Sequence, residues 1–273
     1  MENTERYKIA AALLKTADGL LITAGAGMGV DSGLPDFRGD EGLWNVYPAL
    51  KNANLSFTKI ANPSAFVSIP EIAWGFYGHR LQLYREVTPH VGFKILREMS
   101  QTMRNGAFIF TSNVDGHFQK AGFDEKHVVE CHGSIHHQQC SGPCNLLIRS
   151  AANIEVDIDA EQCIWKSALP RCKHCGDVMR PNILMFNDYS WISTRTDQQI
   201  ERMRDWIARV NNLVVIEIGA GRAIPTVRNQ SERLQKPVIR INPIDFSVRH
   251  RRSIGLDSTA LIGLQGIFEE FLK

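Results

Sequence analysis

Residues 23–39, Thr-Ala-Gly-Ala-Gly-Met-Gly-Val-Asp-Ser-Gly-Leu-Pro-Asp-Phe-Arg-Gly, follow directly on Gly19-Leu-Leu-Ile22, and this junction decides the fold. The apolar run reads as a buried strand over 20–24. Gly25, Gly27 and Gly29 crowd the turn that leaves it. Glycine allows the close backbone approach that a phosphate-cradling turn needs. Strand, glycine turn and helix in that order open a nucleotide-binding βα unit. The fit to G-x-G-x-x-G is incomplete because Val30 holds the third glycine position. A tight turn without a ligand is the competing reading. Pro35-Asp36-Phe37-Arg38-Gly39 then puts a ring and a guanidinium side by side in a loop. Arg suits bidentate phosphate contact, and a loop Phe can cover one face of a ligand.

Outward from this stretch, apolar runs recur. Ala107–Thr111 reads as a second strand and runs into Ser112-Asn113-Val114-Asp115-Gly116. His127–Glu130 is a third, followed by Cys131-His132-Gly133. Further strands are expected at 182–186, 213–218 and 237–241; the last two end at Gly219-Ala220-Gly221 and Asn242-Pro243. Helical spacing covers 5–18, 71–86, 90–104 and 196–210, and Asp257 or Ser258 can cap a final helix to 271. Residues 40–70, punctuated by Gly42, Pro48, Pro63 and Pro70, read as irregular. Strands that lack polar alternation need cover on both faces. The fold class is therefore α/β, with a mainly parallel sheet.

Composition limits the choice of function. At 273 residues, with 44% apolar and 22% charged side chains, the chain is an ordinary globular one. A net charge of +2 gives no electrostatic case for nucleic acid or an anionic membrane. The charged start, Met-Glu-Asn-Thr-Glu-Arg, has no apolar signal region, and no apolar run is long enough to span a membrane. A cytoplasmic protein is the expectation.

Six cysteines then point to metal rather than disulfides. Cys140-x3-Cys144 and Cys172-x2-Cys175 are two close pairs, the spacing of a tetrahedral zinc site. Four thiolates leave no open coordination position, so the zinc would be structural. Cys131 and Cys163 fall outside the pattern and read as buried free thiols. His132, at a strand end beside Gly133, is a candidate general base near neutral pH. His136 and His137 compete for that role. Asn113 and Asp115 read either as an Asx-bonded turn or as polar groups facing a ligand.

Taken together, Ala24-Gly-Ala-Gly, Pro-x-Phe-Arg-Gly at 35–39, Thr-Ser-Asn-Val-Asp at 111–115, His132-Gly133, the two cysteine pairs, Arg180-Pro-Asn and Ile241-Asn stand in sirtuin order. Over nearly its full length the chain resembles the sirtuins of bacterial type, the NAD-dependent protein-lysine deacylases. The resemblance implies a Rossmann-like domain (1–40, 105–134 and 181–273), a helical cofactor-loop and acyl-pocket module (41–104) and a zinc-binding module (135–180). It implies NAD and an acyl-lysine peptide meeting in the cleft between domains, with nicotinamide, free lysine and O-acyl-ADP-ribose as products.

Carried over by position, Gly25, Ala26 and Gly27 would approach the pyrophosphate. Asp36, Phe37 and Arg38 would form the cofactor loop. Ser112, Asn113, Val114 and Asp115 would face the nicotinamide side, with His132, Asn113 and Asp115 as catalytic candidates. Gly219, Ala220 and Gly221 would make the second phosphate turn. Asn242 would meet the adenosine ribose, and Ala260 the adenine. Phe186 and Asn187 would bind the peptide. Tyr77-Gly-His-Arg80 has the spacing that grips an acidic acyl group in desuccinylase-type members; an ordinary amphipathic helix is the alternative.

The chain also departs from the family. Ser112 replaces a usual Gln. Gly219-Ala220-Gly221 replaces a turn that usually carries hydroxyls, and Phe186-Asn187-Asp188 replaces a Phe-Gly-Glu-like segment. These changes keep two other readings open: an ADP-ribosyltransferase or NAD hydrolase on the same fold, and a non-enzymatic NAD-binding module.

Overall fold

The computed structural model describes residues 3–35 and 39–273. The chain opens with α1 (Asn3–Thr16), β1 (Gly19–Ala24) and a single helical turn, α2 (Gly27–Val30). The stretch expected to be irregular holds short helices: α3 (Gly39–Val46), α4 (Pro48–Asn52), α5 (Phe57–Ile60) and α6 (Ala65–Ser68). Each spans only one or two turns, so no sustained period marks them in the sequence. Then come α7 (Pro70–Glu86), α8 (Val91–Gln101), β2 (Ala107–Thr111), α9 (His117–Lys120) and β3 (Val128–Glu130). Next are β4 (Gly133–Cys140), β5 (Arg149–Ser150), β6 (Ile158–Asp159), β7 (Ile164–Trp165) and β8 (Met179–Ile183). The chain finishes with α10 (Thr194–Arg209), β9 (Leu213–Ile218), α11 (Thr226–Arg233), β10 (Val238–Ile241), β11 (Ile254–Leu256) and α12 (Ala260–Phe271).

Six of these strands form one parallel sheet in the order β3-β2-β1-β9-β10-β11. Renumbered within the sheet, this is the 3-2-1-4-5-6 order of a dinucleotide-binding fold. Alternate side chains serve opposite faces. Leu20, Ile22 and Ala24 pack with α1, α8 and α12, while Leu21, Phe108, Phe110 and Val215 pack with α10 and α11. Burial on both faces explains the continuous apolar runs. The expected α/β class, a Rossmann-like sheet with helices on both sides, is the observed one.

A second core lies beside the sheet. Trp74, Phe76, Tyr77 and Leu81 of α7 meet Phe66, Ile135, Trp165 and Ile183. The Trp74 indole N–H donates to the Met179 carbonyl at 2.8 Å. Gly75 lies so close to the Cys163 carbonyl that a Cβ would stand 2.1 Å from it. The helical and cysteine-bearing segments therefore share one core.

Several elements differ from the sequence expectation. α8, grouped there with the helical module, puts Phe93, Leu96 and Met99 into the core of the sheet. The strand expected at 182–186 is β8, at 179–183, because Met179–Cys140 pairing begins it earlier. α12 is capped not by Asp257 or Ser258 but by Thr259, whose hydroxyl oxygen accepts from the Ile262 N–H at 3.5 Å. Among the described residues no helix is long and apolar enough to cross a membrane.

Candidate cofactor cleft and metal cluster

Parallel register sets the site. Ala24, Thr111, Glu130, Ile218 and Ile241 end their strands level with one another. Gly25, Ser112, Cys131, Gly219 and Asn242 therefore leave the sheet on one rim. Strand order reverses between β1 and β9, and open α/β sheets hold ligands in the crevice at that point.

Two glycine turns meet at this crevice. The Gly25 N–H donates to Ile218 O at 3.0 Å and the Gly27 N–H to Gly219 O at 3.1 Å. Gly219 has φ +62, and a Cβ there would stand 2.4 Å from Gly27 Cα. Gly25, Gly27 and Gly219 thus let one backbone turn lie directly on the other. Ala26 and Gly221 are the exposed residues of the two turns. A Cβ at Gly221 would meet nothing within 4 Å.

Asn242 braces the second turn. Its Nδ2 donates to Ala220 O at 3.0 Å, and its Oδ1 accepts the Ile244 and Asp245 N–H groups at 2.9 and 2.8 Å. Arg228, which sequence reasoning missed, donates to the same Ala220 carbonyl at 3.1 Å. Ala260 is buried at the start of α12, whose Leu261 N–H donates to Asp31 Oδ2 at 2.7 Å, fixing that helix against α2.

The segment after β2 is a folded corner. The Ser112 N–H donates to Ala24 O at 3.1 Å and the Asn113 N–H to Thr111 Oγ1 at 3.0 Å. Val114 is buried and its carbonyl accepts from the Ile135 N–H. Asp115 is also buried; its Oδ1 accepts the His117 N–H at 2.9 Å, an Asx bond of the kind the sequence suggested. Burial pushes its pKa up, against the pull of that N–H, His136 and Arg80.

The three histidines separate. His136 Nε2 lies 2.8 Å from the Asp115 carbonyl, so it carries the proton and donates. His137 sits by Arg195, and burial first and that charge second press its pKa down to about 4. His132 occupies the turn between β3 and β4, with its ring half-buried and making no hydrogen bond among the described residues. Burial lowers its pKa, which leaves the imidazole neutral at pH 7. Gly133 beside it has φ +77 and would drive a Cβ to 2.0 Å from Asn182 O, so the turn that presents His132 requires glycine.

α7 brings Tyr77 and Arg80 into the second core, where they are 1% and 9% exposed. Arg80 Nε and NH2 donate to the Tyr84 hydroxyl at 3.0 and 2.6 Å. Its guanidinium lies over the rings of Phe76, Tyr77 and Tyr84 at 5.3, 5.9 and 5.4 Å. Burial opposes the charge, but the phenols of Tyr84, Tyr77 and Tyr47 outweigh it and raise the pKa. Tyr84, one helical turn beyond Arg80, was not singled out from sequence. The Phe186 N–H donates to Ala61 O at 2.9 Å and its ring stands edge-on to Phe57 at 5.6 Å. Asn187 is exposed with φ +53. Asp36, Phe37 and Arg38 lie outside the described residues.

The cysteine pairs converge as their spacing requires. All four sulfurs, of Cys140, Cys144, Cys172 and Cys175, lie within 4.8 Å of one another. Cys140 to Cys175 is 3.5 Å and Cys144 to Cys172 is 3.6 Å. A tetrahedral ion with Zn–S of about 2.3 Å sets sulfurs about 3.8 Å apart, so the cluster fits zinc. The backbone N–H groups of Cys175 and His174 pull the Cys172 thiol down to about 6, favouring the thiolate a metal needs. Cys163 is buried and its thiol is pushed up to about 12; half-buried Cys131 is pushed equally far.

Comparison with known proteins gives a consistent pattern. The sequence model of the Sir2 family matches residues 25–220. The NAD-dependent protein deacylase of Aquifex aeolicus is 31% identical over 173 residues, which is 62% of this chain and 62% of that protein. The chain thus spans less than two thirds of the length of that relative. NAD-dependent protein deacylase 1 of Archaeoglobus fulgidus is 29% identical over 252 residues, 87% of this chain and 90% of that one. Among solved structures, a Sir2 homologue in complex with NAD superposes with a TM-score of 0.70 at 22% identity, covering 99% of this chain and 94% of that one. At that identity the likeness shows the fold.

Proposed function

The chain belongs to the Sir2 family, and on that footing we propose that it is a cytoplasmic NAD-dependent protein-lysine deacylase releasing nicotinamide and O-acyl-ADP-ribose. One observation carries the reading. Two glycine turns meet at the switch point of a 3-2-1-4-5-6 sheet, and Asn113, Asp115 and His132 leave the same rim. Relatives bear the name NAD-dependent protein deacylase, and one solved Sir2 homologue is a complex with NAD.

In this reading Ala26 and Gly221 offer exposed backbone to the pyrophosphate, while Gly25, Gly27, Gly219 and Ala220 shape the floor beneath it. Asp36, Phe37 and Arg38 keep the cofactor-contact role that the resemblance implies. Asn242 fixes the second turn beside the adenosine, and Ala260 keeps the adenine side small. NAD, when bound, supplies the ribose carbon from which nicotinamide departs and on which the acyl oxygen is captured. Asp115, with Oδ1 held by the His117 N–H, keeps Oδ2 for the nicotinamide carboxamide. Asn113, beside it in the cleft with Ser112 and Val114, orients the ribose hydroxyls. His132, neutral at pH 7, takes a proton at its ring nitrogen from a ribose hydroxyl. The acyl-lysine peptide lies along Phe186 and Asn187. Tyr77 and Arg80 close the acyl end, and a buried cation there selects an acidic acyl group such as succinyl or malonyl. The zinc on Cys140, Cys144, Cys172 and Cys175 holds the small module in shape and takes no part in the chemistry.

The test mixes the protein with NAD and acetyl- or succinyl-lysine peptides and reads the products by mass spectrometry. Acyl-ADP-ribose formed in step with free lysine supports the proposal. ADP-ribose made without peptide, or a mass gain on protein, assigns the site to NAD hydrolysis or ADP-ribosyl transfer instead. Unchanged NAD refutes an enzymatic role. His132→Ala should keep NAD binding and lose the acyl product; deacylation at the wild-type rate would remove His132 from the mechanism.

A further inference from the structure

Two cavities lie at the opposite end of the sheet from the glycine turns, where β9 and β10 begin. One, of about 330 Å³, is bounded chiefly by Asn211, Asn212, Gln235, Lys236, His250 and Arg252. Its neighbour, of about 280 Å³, shares Gln235, Lys236 and His250 and adds Arg249. Lys236, Arg249 and Arg252 are exposed and form no ion pair among the described residues. The carboxylates nearby are already engaged. Glu232 is bonded to Arg240 at 2.9 Å, and Asp18 accepts the Asn211 and Asn212 N–H groups at 3.2 and 2.8 Å.

We propose that the larger cavity binds a small phosphorylated molecule carrying hydroxyl groups, of the size of a sugar phosphate or a nucleoside monophosphate. Donors line one side. The Lys236 ammonium and the Arg252 guanidinium match a phosphate in charge and geometry. His250 Nδ1 accepts the Arg252 N–H at 3.3 Å, so the neutral ring carries its proton on Nε2 and adds a third donor. Acceptors line the other side. Asn211 Nδ2 donates to Asp18 and Asn212 Nδ2 to the Thr16 carbonyl, which leaves the Oδ1 atoms of both asparagines to receive ligand hydroxyl protons. A donor-only pocket would suit a bare anion; this two-sided one suits an anion attached to a polyol.

The walls are also built rather than loose. The Ser253 N–H donates to His250 O at 3.0 Å, the Val238 N–H donates to Ser253 Oγ at 2.9 Å, and Arg240 binds the Ser247 carbonyl. The basic turn is thereby tied to β10. The space of about 330 Å³ is an open groove between exposed side chains, so a ligand there would be held by its polar contacts rather than by enclosure.

Calorimetric titration of the full chain tests this with ribose 5-phosphate, adenosine monophosphate, ribose and inorganic phosphate. Ribose 5-phosphate should bind at one site, more than tenfold tighter than either ribose or inorganic phosphate. Lys236→Ala and Arg252→Ala, both on exposed side chains, should each weaken it more than tenfold while leaving the melting temperature and the NAD titration unchanged. No binding, equal affinity for inorganic phosphate, or binding that both variants retain overturns the proposal. If adenosine monophosphate alone binds, and the two variants do not weaken it, its site lies elsewhere and the proposal is likewise overturned.

Discussion

Gly219→Ala tests the contact on which the cleft rests. At φ +62 an alanine costs about 1–2 kcal/mol for left-handed backbone alone. Its Cβ would stand 2.4 Å from Gly27 Cα and 2.5 Å from both Gly27 C and Met28 N. All three are backbone atoms, so no side chain can rotate away and one turn must lift off the other. Overpacking of that kind adds about 1–3 kcal/mol. The sum is roughly 2–5 kcal/mol, and at this chain length each kcal/mol lowers the melting temperature by about 2–4 °C. A drop of about 5–20 °C is expected in a thermal melt followed by circular dichroism. NAD affinity should fall with it, because the turn that moves is the one at the switch point. Gly221→Ala is the control, since its Cβ enters open space. It should melt within about a degree of wild type. If the exposed backbone at Gly221 meets the pyrophosphate, that variant alone weakens NAD without destabilising the fold. A Gly219→Ala protein that melts at the wild-type temperature would refute the turn-on-turn contact. A Gly221→Ala protein that binds NAD as tightly as wild type would remove the second turn from the cofactor site.

Metal analysis should find one zinc per chain and none in Cys172→Ala. Because structural zinc contributes folding free energy on the order of 10 kcal/mol, β4–β8 should become protease-sensitive in that variant, and full protease resistance without zinc would contradict the assignment. His117 is buried with neither ring nitrogen bonded among the described residues, and burial, with Lys120, His90 and His136, presses its pKa to about 4. The unfolded chain therefore takes up that proton first as pH falls below about 6.5, so stability is present above that value and is lost toward pH 4. Between pH 7 and 4.5 the loss is roughly 2.5 kcal/mol, and His117→Leu should recover it in denaturant titrations at pH 4.5; an unchanged pH profile would refute the link. Arg80→Met should cut removal of succinyl groups far more than removal of acetyl groups in a peptide assay, and equal losses would sink the acyl-pocket role.

The parts of this architecture that were legible in sequence are those written in short-range chemistry. Two cysteine pairs close into one four-sulfur cluster because each knuckle is local, and the two knuckles need only meet. β1, β2 and β9 announce themselves because both faces are buried and their runs are almost wholly apolar, with Thr23 and Glu217 among the buried exceptions. Elements without such a signature escaped. α11 carries a single buried aliphatic residue, Val227, among polar ones, and β11 is three residues long. The strand order itself is invisible locally, since β9 joins β1 across most of the chain. That order changes how the glycines are read. Gly25 and Gly27 looked like phosphate contacts because glycine is what such contacts use, yet their N–H groups are held by β9 and its turn. Ala26 and Gly221 are the exposed residues of the two turns. Likewise, His136 and His137 compete with His132 in the sequence, and their surroundings are not legible there: His136 donates to the Asp115 carbonyl and His137 lies beside Arg195.

A buried ionic cluster explains why the rim and the base of the sheet stay in register. Glu217 on β9 and Arg240 on β10 are paired residues, and their carboxylate and guanidinium meet at 2.6 Å with almost no exposure. Arg240 continues to Glu232 of α11 at 2.9 Å and to the Ser247 carbonyl. Arg228, also on α11, lies 3.7 Å from Glu217 and reaches the carbonyls of Ala220 and Asp245. Burying such a cluster adds little net stability, because desolvation offsets the attraction. Its value is directional. An apolar contact tolerates sliding, whereas the Arg228 guanidinium here holds carbonyls on two separate loops and the Arg240 guanidinium holds a carbonyl on one of them. One loop is the Gly219–Gly221 turn of the proposed cofactor cleft. The other is the 243–253 segment, which carries Arg249, His250 and Arg252. The same four charged residues therefore fix the backbone of both candidate sites, which is a physical reason for ions to occupy the middle of an otherwise apolar layer.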